Sequence, residues 1–116
     1  MSIYEFNCYD EIAKVNIEYS QYIENNNIAI ILRDAYDKSV WARLSVNIKS
    51  LPEGQFAVDV NNCPTAEEFL IKYGIAIPTG KDVISGYCVY PIYELTKPEY
   101  NKYLKIKAKL YTEGVH

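Results

Sequence analysis

Three cysteines, one histidine and an Asp-Asn-Asn cluster hold most of the reactive chemistry open to this chain. They are Cys8, Cys63, Cys88, His116, Asp59, Asn61 and Asn62. Cys63 stands directly before Pro64, a residue that suits the first turn of a helix, and a thiol at a helix N-terminus loses its proton readily. Cys63, Cys88 and Asp59 together would offer a metal three donor atoms. Neither chemistry has the rest of its set. Structural metal sites show paired ligands at short spacing, and the chain has no CxxC and no HxxxH. Cys–His catalysis needs an imidazole base, and the one histidine is the last residue, a position usually mobile. Packing as small buried residues is therefore the preferred reading of both cysteines. Asp59, Asn61 and Asn62 can bind a cation through oxygen, but residues of this type before a helix more often bond the backbone of a turn. Gly80-Lys81 is not a phosphate loop, because no glycine precedes it at the required spacing and Asp82 follows. No catalytic residue, metal or cofactor is expected.

Binding has better candidates. Residues 77–86 read as a long loop, and long ordered loops carry contact surfaces. Thr79, Lys81 and Asp82 within it, with Tyr87, Tyr90 and Tyr93 just beyond, form the expected partner-binding set. Tyr87 and Tyr93 share strand parity, while Tyr90 does not unless a bulge at Pro91 alters the facing. The chain has twelve tyrosines against three phenylalanines, and tyrosine serves equally in half-buried packing and at contacts. A row of Lys102, Lys105 and Lys109 can touch phosphate, yet a solvated helix face is the simpler reading, and an overall charge of −3 disfavours nucleic acid.

The elements that must position these residues follow from patterning. At 116 residues the chain is one domain with room for a core that needs no disulfide or metal, and 49% hydrophobic residues suits a globular protein. An odd cysteine count, no basic-then-apolar leader and no run of about 20 apolar residues predict a cytoplasmic protein with reduced thiols and no membrane partner. Charge is uneven. Residues 1–37 carry seven acids and two bases, and residues 97–116 carry five lysines and two glutamates. Such polarity can steer a partner, though more often it only solvates a surface.

A meander of strands is predicted over residues 3–60, taking in 3–8, 14–20, 28–33, 40–48 and 55–60. Alternation marks 14–20, and the continuous apolar run IAIILR marks 28–33 as central. Asn25-Asn26-Asn27 supplies a hairpin turn. The spacing predicts a helix over 64–73, with Thr65 and Glu68 as capping box, Ala66, Phe69, Leu70 and Tyr73 as apolar face, and Gly74 as stop. A loop and strand follow over 75–95, the strand placed at an edge or bulged by Pro91. A second helix runs over 97–112, with Thr96 and Glu99 as its capping box and Tyr100, Tyr103, Leu104, Leu110 and Tyr111 as its stripe. The whole is predicted as α+β: an antiparallel sheet of about 4–6 strands with two helices packed on one side.

The order Val58-Asp59-Val60-Asn61-Asn62-Cys63-Pro64, Glu67-Glu68-Phe69, Pro78-Thr79-Gly80, then Ser85-Gly86-Tyr87-Cys88 and Tyr90-Pro91 through Tyr93 resembles a small family of unknown function. That family is carried by conjugative transposons, plasmids and phages of Gram-positive bacteria, and the likeness spans residues 12–95. The chain departs from it at Thr65, where the family often has Trp, at Lys81, where Arg is common, and in a longer lysine-rich tail. The resemblance implies a genomic setting rather than a reaction. In that setting small proteins often counter host defence, so the expected function is a non-catalytic interaction protein of a mobile element or phage that binds a host or phage protein, as inhibitors of CRISPR or restriction systems do. The alternatives are a nucleic-acid-binding accessory protein and a small-molecule-sequestering protein with a pocket near Cys63 and Cys88.

Overall fold

Alternation builds the first sheet. Along β2 (Glu11–Gln21), Ala13, Val15 and Tyr19 are buried while Lys14 and Glu18 meet solvent, so the strand has a dry face and a wetter one. The structure, a computed structural model, describes residues 2–8 and 10–114, with side chains described through residue 109. His116, and the side chains of Leu110 and Tyr111 expected in the second helix's stripe, lie outside the described residues. β3 (Ile28–Asp34) opens with five consecutive buried residues, as a strand covered on both faces must. Asn26 holds φ at 60° in the turn before it, a left-handed conformation that asparagine tolerates. β1 (Tyr4–Cys8) pairs with β2, and β4 (Val40–Arg43) with β3. The order is β1-β2-β3-β4, antiparallel throughout.

The strand predicted over 40–48 does not run on as one. It breaks at Leu44, and β5 (Ser45–Val46) enters a second sheet. The Leu44 N–H donates to the Ile30 carbonyl in the first sheet, and its carbonyl accepts from the Asp59 N–H beside the second, both at 2.9 Å. The second sheet is also antiparallel, ordered β5-β6-β8-β7, with β6 (Gln55–Val58), β7 (Ala76–Ser85) and β8 (Cys88–Leu95). The α+β class, the antiparallel pairing and the two helices are as the sequence predicts, but the strands divide between two sheets of four.

Helix α1 (Ala66–Lys72) buries Ala66, Phe69 and Leu70 and stops at Gly74, whose φ of 63° lets the Ile75 N–H reach back to the Leu70 carbonyl at 2.9 Å. The capping box expected at its start does not form. The Thr65 hydroxyl donates instead to the Asn7 carbonyl at 2.8 Å, tying the helix to β1. Helix α2 (Lys97–Gly114) likewise lacks the expected box. The Thr96 hydroxyl donates to the Gly74 carbonyl at 2.8 Å, and the Glu99 carboxylate is taken by Tyr19 and Lys102. No helix among the described residues is long and apolar enough to cross a membrane.

Two further expectations are corrected. Residues 76–85 are a strand rather than a loop. β8 is an interior strand despite Pro91, and the register irregularity falls on its neighbour β7. β7 shifts register between Pro78 and Asp82, the residue opposite Pro91. On its other side, toward which the N–H that Pro91 lacks would point, β8 stops pairing with β6 at Ile92, so no ladder bond is forfeited. Pro78 and Gly80, which read as loop residues, therefore serve a bulge.

One large core lies among both sheets and both helices. Its fully buried members include Val15, Ile30, Leu32, Leu44, Phe56, Leu70, Tyr93 and Tyr103. A second, smaller group of Ala57, Val83, Tyr90 and Ile92 is drawn from β6, β7 and β8 alone.

Candidate functional site

The partner-binding residues expected from sequence fall on the β7–β8 hairpin. Its turn is Gly86-Tyr87, and only Gly86 has positive φ, at 61°, the pattern of a type II′ hairpin. At the bulge, Gly80 takes φ of 82°. The Thr79 hydroxyl there donates across to the Ile92 carbonyl at 2.8 Å and accepts from the Lys81 N–H at 3.2 Å. Thr79 is thus a half-buried brace, while Lys81 and Asp82 are exposed. The bulge and the Lys81 charge break up the outer edge of β7, which discourages pairing with a second sheet edge.

The three tyrosines do not form one platform. Tyr87 is fully exposed at 106%, whereas Tyr90 and Tyr93 are 8% and 2% exposed and lie in the small and the large core respectively. That opposite burial follows from strand parity, so the bulge opposite Pro91 leaves β8's own alternation intact. The Tyr93 hydroxyl donates to Glu67 Oε1 at 2.7 Å; burial first, then the carboxylate, holds its proton well above the ordinary tyrosine range. Tyr90 is also raised, first by its hydrogen bond to Cys88 and then by burial.

What surrounds Tyr87 is apolar. Ile84 and Val89 are cross-strand partners next to the turn, and both are exposed, at 70% and 51%. Val89 shares strand parity with Tyr93 and Leu95, which face the large core. The hairpin outruns that core, and its far end carries the core-side face into solvent. Read as a loop, residues 77–86 give no sign of this pair. The signal was present: a Gly-x dipeptide between two apolar runs marks a two-residue hairpin.

The cysteine chemistry is not assembled. Cys63 is buried in the large core, and desolvation pushes its thiol up to about 11; the Thr65 hydrogen bond opposes this, and Asp59 and Cys8 add smaller upward pushes. It is protonated at neutral pH, the reverse of an activated thiolate. Cys88 packs against the other core, so the two are not a pair, and all three cysteines are free. Asp59 accepts from the Asn62 N–H at 3.3 Å and from Asn62 Nδ2 at 3.0 Å, which is the turn its position suggests. Among the described residues no three His, Cys, Asp or Glu side chains gather as metal ligands would.

The lysine row divides. Lys102 is paired with Glu99 at 3.0 Å, and that bond raises its pKa. Lys102 and Lys105 line a groove of about 750 Å³ between α2 and β2, and Lys109 does not. Asn16 of β2, with Arg33, Lys38 and Tyr4 from elsewhere in the chain, adds to its walls. No local spacing could have brought these residues together in a sequence reading.

Fold and site define a small α+β protein of two antiparallel sheets with an exposed apolar hairpin end. The chain belongs to the family described as domain of unknown function DUF4313, which matches residues 16–113 and so includes the lysine-rich tail. No curated protein and no solved structure matches it.

Proposed function

We propose that this chain is a non-catalytic interaction protein that docks onto a protein partner through the far end of the β7–β8 hairpin. The observation that carries this reading is the solvent-facing trio Ile84, Tyr87 and Val89 on a strand pair braced by the large core. An apolar centre with an aromatic anchor, flanked by Lys81 and Asp82, has the make-up of a contact patch. The finer part of the proposal takes its setting from the resemblance: a mobile genetic element or phage of a Gram-positive host, with a host defence factor of CRISPR or restriction type as the protein bound and inhibited.

The experiment is capture from lysate of such a host with the wild type and with an Ile84→Ser/Tyr87→Ala variant. The captured protein is then purified and titrated against both. The variant is expected to bind at least about tenfold more weakly. Its stability should stay within about 0.5 kcal/mol of wild type, since both side chains are exposed. Equal affinity for the two proteins, or turnover of a nucleotide or nucleic acid by the purified chain alone, would overturn the proposal.

A further inference from the structure

The groove between α2 and β2 exists because β1 is shorter than β2. Pairing between them ends at Tyr4 with Val15, while β2 runs on to Gln21 with β3 on its other side. Ser2 leaves the ladder, its carbonyl accepting instead from Asn16 Nδ2 at 2.8 Å. The Ala35 N–H bonds the Lys14 carbonyl, so even-numbered residues of β2 turn their backbone groups toward β3 and odd-numbered ones turn away. Ile17 and Tyr19 therefore aim N–H and C=O into the groove, and among the described residues neither has a backbone hydrogen bond there. Helix α2 holds off from this edge through side chains alone, with Tyr19 Oη donating to Glu99 at 2.6 Å and Gln21 Nε2 to Tyr103 at 3.0 Å.

The two faces flanking the open edge differ in chemistry. Asn16, Glu18 and Arg33 share one face, where Lys38 reaches Asn16 Oδ1 at 2.8 Å. Arg33 is paired with Glu18 at 2.9 Å, whereas Lys38 forms no close ion pair among the described residues, though Asp34 feels its charge. The other face presents Ile17 and Tyr19, with Ile106 on α2 across from them. Lys105 on α2 also lines the groove without an ion pair among the described residues. The groove thus offers main-chain donors and acceptors at its floor, an apolar wall, and two lysines outside any close ion pair among the described residues.

The geometry points to an extended peptide segment of alternating acidic and apolar residues as the occupant, added as a further strand beside Ile17 and Tyr19. Strand addition supplies the missing main-chain bonds, and alternation sends apolar side chains toward Ile106 and carboxylates toward Lys38. A groove of about 750 Å³ has room for several residues. This site is remote in sequence from the hairpin surface, and it stands or falls separately.

The probe is the N-acetylated, C-amidated peptide Val-Glu-Val-Glu-Val-Glu, titrated into the full chain while amide hydrogen exchange is followed by NMR. Saturable binding is expected to slow exchange of the Ile17 and Tyr19 amides by about tenfold or more. Lys38→Glu and Lys105→Glu are each expected to weaken binding about fivefold to tenfold, and Val-Lys-Val-Lys-Val-Lys to bind at least that much more weakly. Lys105 is exposed, so its variant keeps the fold even if the Lys38 change disturbs Asn16. The Ile84→Ser/Tyr87→Ala variant should bind the peptide as wild type does, which separates this site from the hairpin. No saturation up to about 1 mM peptide, binding that leaves the Ile17 and Tyr19 amides exchanging as before, or equal affinity for the lysine peptide would each overturn the inference.

Discussion

The two buried clusters differ in what supplies them. The large one draws on both sheets and both helices, and its aromatic rings meet edge to face: Phe69 lies 5.9 Å from Tyr4, 5.8 Å from Phe6 and 5.2 Å from Tyr73. The small one has four members, all from the second sheet, and is covered only by partly buried residues such as Ile48 and Leu51 from the connection after β5. Strand β8 belongs to both, with Tyr93 on one side and Tyr90 on the other. The difference teaches where stability resides. The large cluster joins elements distant in sequence, so losing it separates layers. The small one seals the outer side of a sheet whose strands are already paired.

Truncations sharpen this contrast. Phe69→Ala is expected to cost about 3–5 kcal/mol, because a ring packed on three others leaves a hole that rigid neighbours cannot fill. Ile92→Ala is expected to cost about 2 kcal/mol, the low end for such a change, since the covering connection can settle onto the gap. Urea unfolding of both variants measures the gap, and equal costs would erase the distinction between the clusters.

A smaller effect tests the polar margin of the large cluster. Tyr93→Phe removes only the hydroxyl that meets Glu67 at 2.7 Å, so the expected loss is about 1 kcal/mol by the same method. A Glu67→Gln background should shrink that loss, and an unchanged loss would show that the hydroxyl acts through something other than Glu67.

Alkali gives the last test. Tyr19, Tyr93 and Tyr100 all hold their protons more tightly than a free tyrosine, each chiefly through burial and then through a carboxylate: Glu99, Glu67 and Glu53. Tyr100 is pushed up to about 12. The unfolded chain releases these protons near the ordinary value of 10.0 while the folded one keeps them. Stability is therefore full below that pH and falls as pH rises through and beyond it. Tm measured against pH should drop on that limb, and Tyr19→Phe should make the drop shallower.

Much of this was legible in local pattern. The alternation of Val15 and Tyr19 with Lys14 and Glu18, the apolar run of β3 and the glycine stop after α1 each reflect one element's own surroundings. What could not be read depends on partners distant in sequence. Residues 40–48 alternate without interruption, so nothing in them shows that Leu44 leaves one sheet for the other. Pro78 and Gly80 are turn formers in isolation, and only the register shift of β7 against β8 shows their place within a strand. Thr65 and Thr96 have capping-box spacing, but the carbonyls of Asn7 and Gly74 compete for their hydroxyls and win. Residue type alone suggests a contact role for Tyr90 and Tyr93, but the pairing of β8 on both sides buries them in opposite cores. The apolar end of the β7–β8 hairpin is exposed because the strands are longer than the body beneath them, a mismatch of lengths that no single segment records.

Leu44 serves two masters as a single residue, its N–H bound to Ile30 and its carbonyl to Asp59. Prising the halves apart would break one of these bonds and uncover a side chain that is otherwise wholly enclosed. The polypeptide therefore has no natural seam: a fragment ending before this position lacks its clasp, and a fragment starting after it lacks its anchor. Melting should accordingly proceed as one event, with neither half surviving the other.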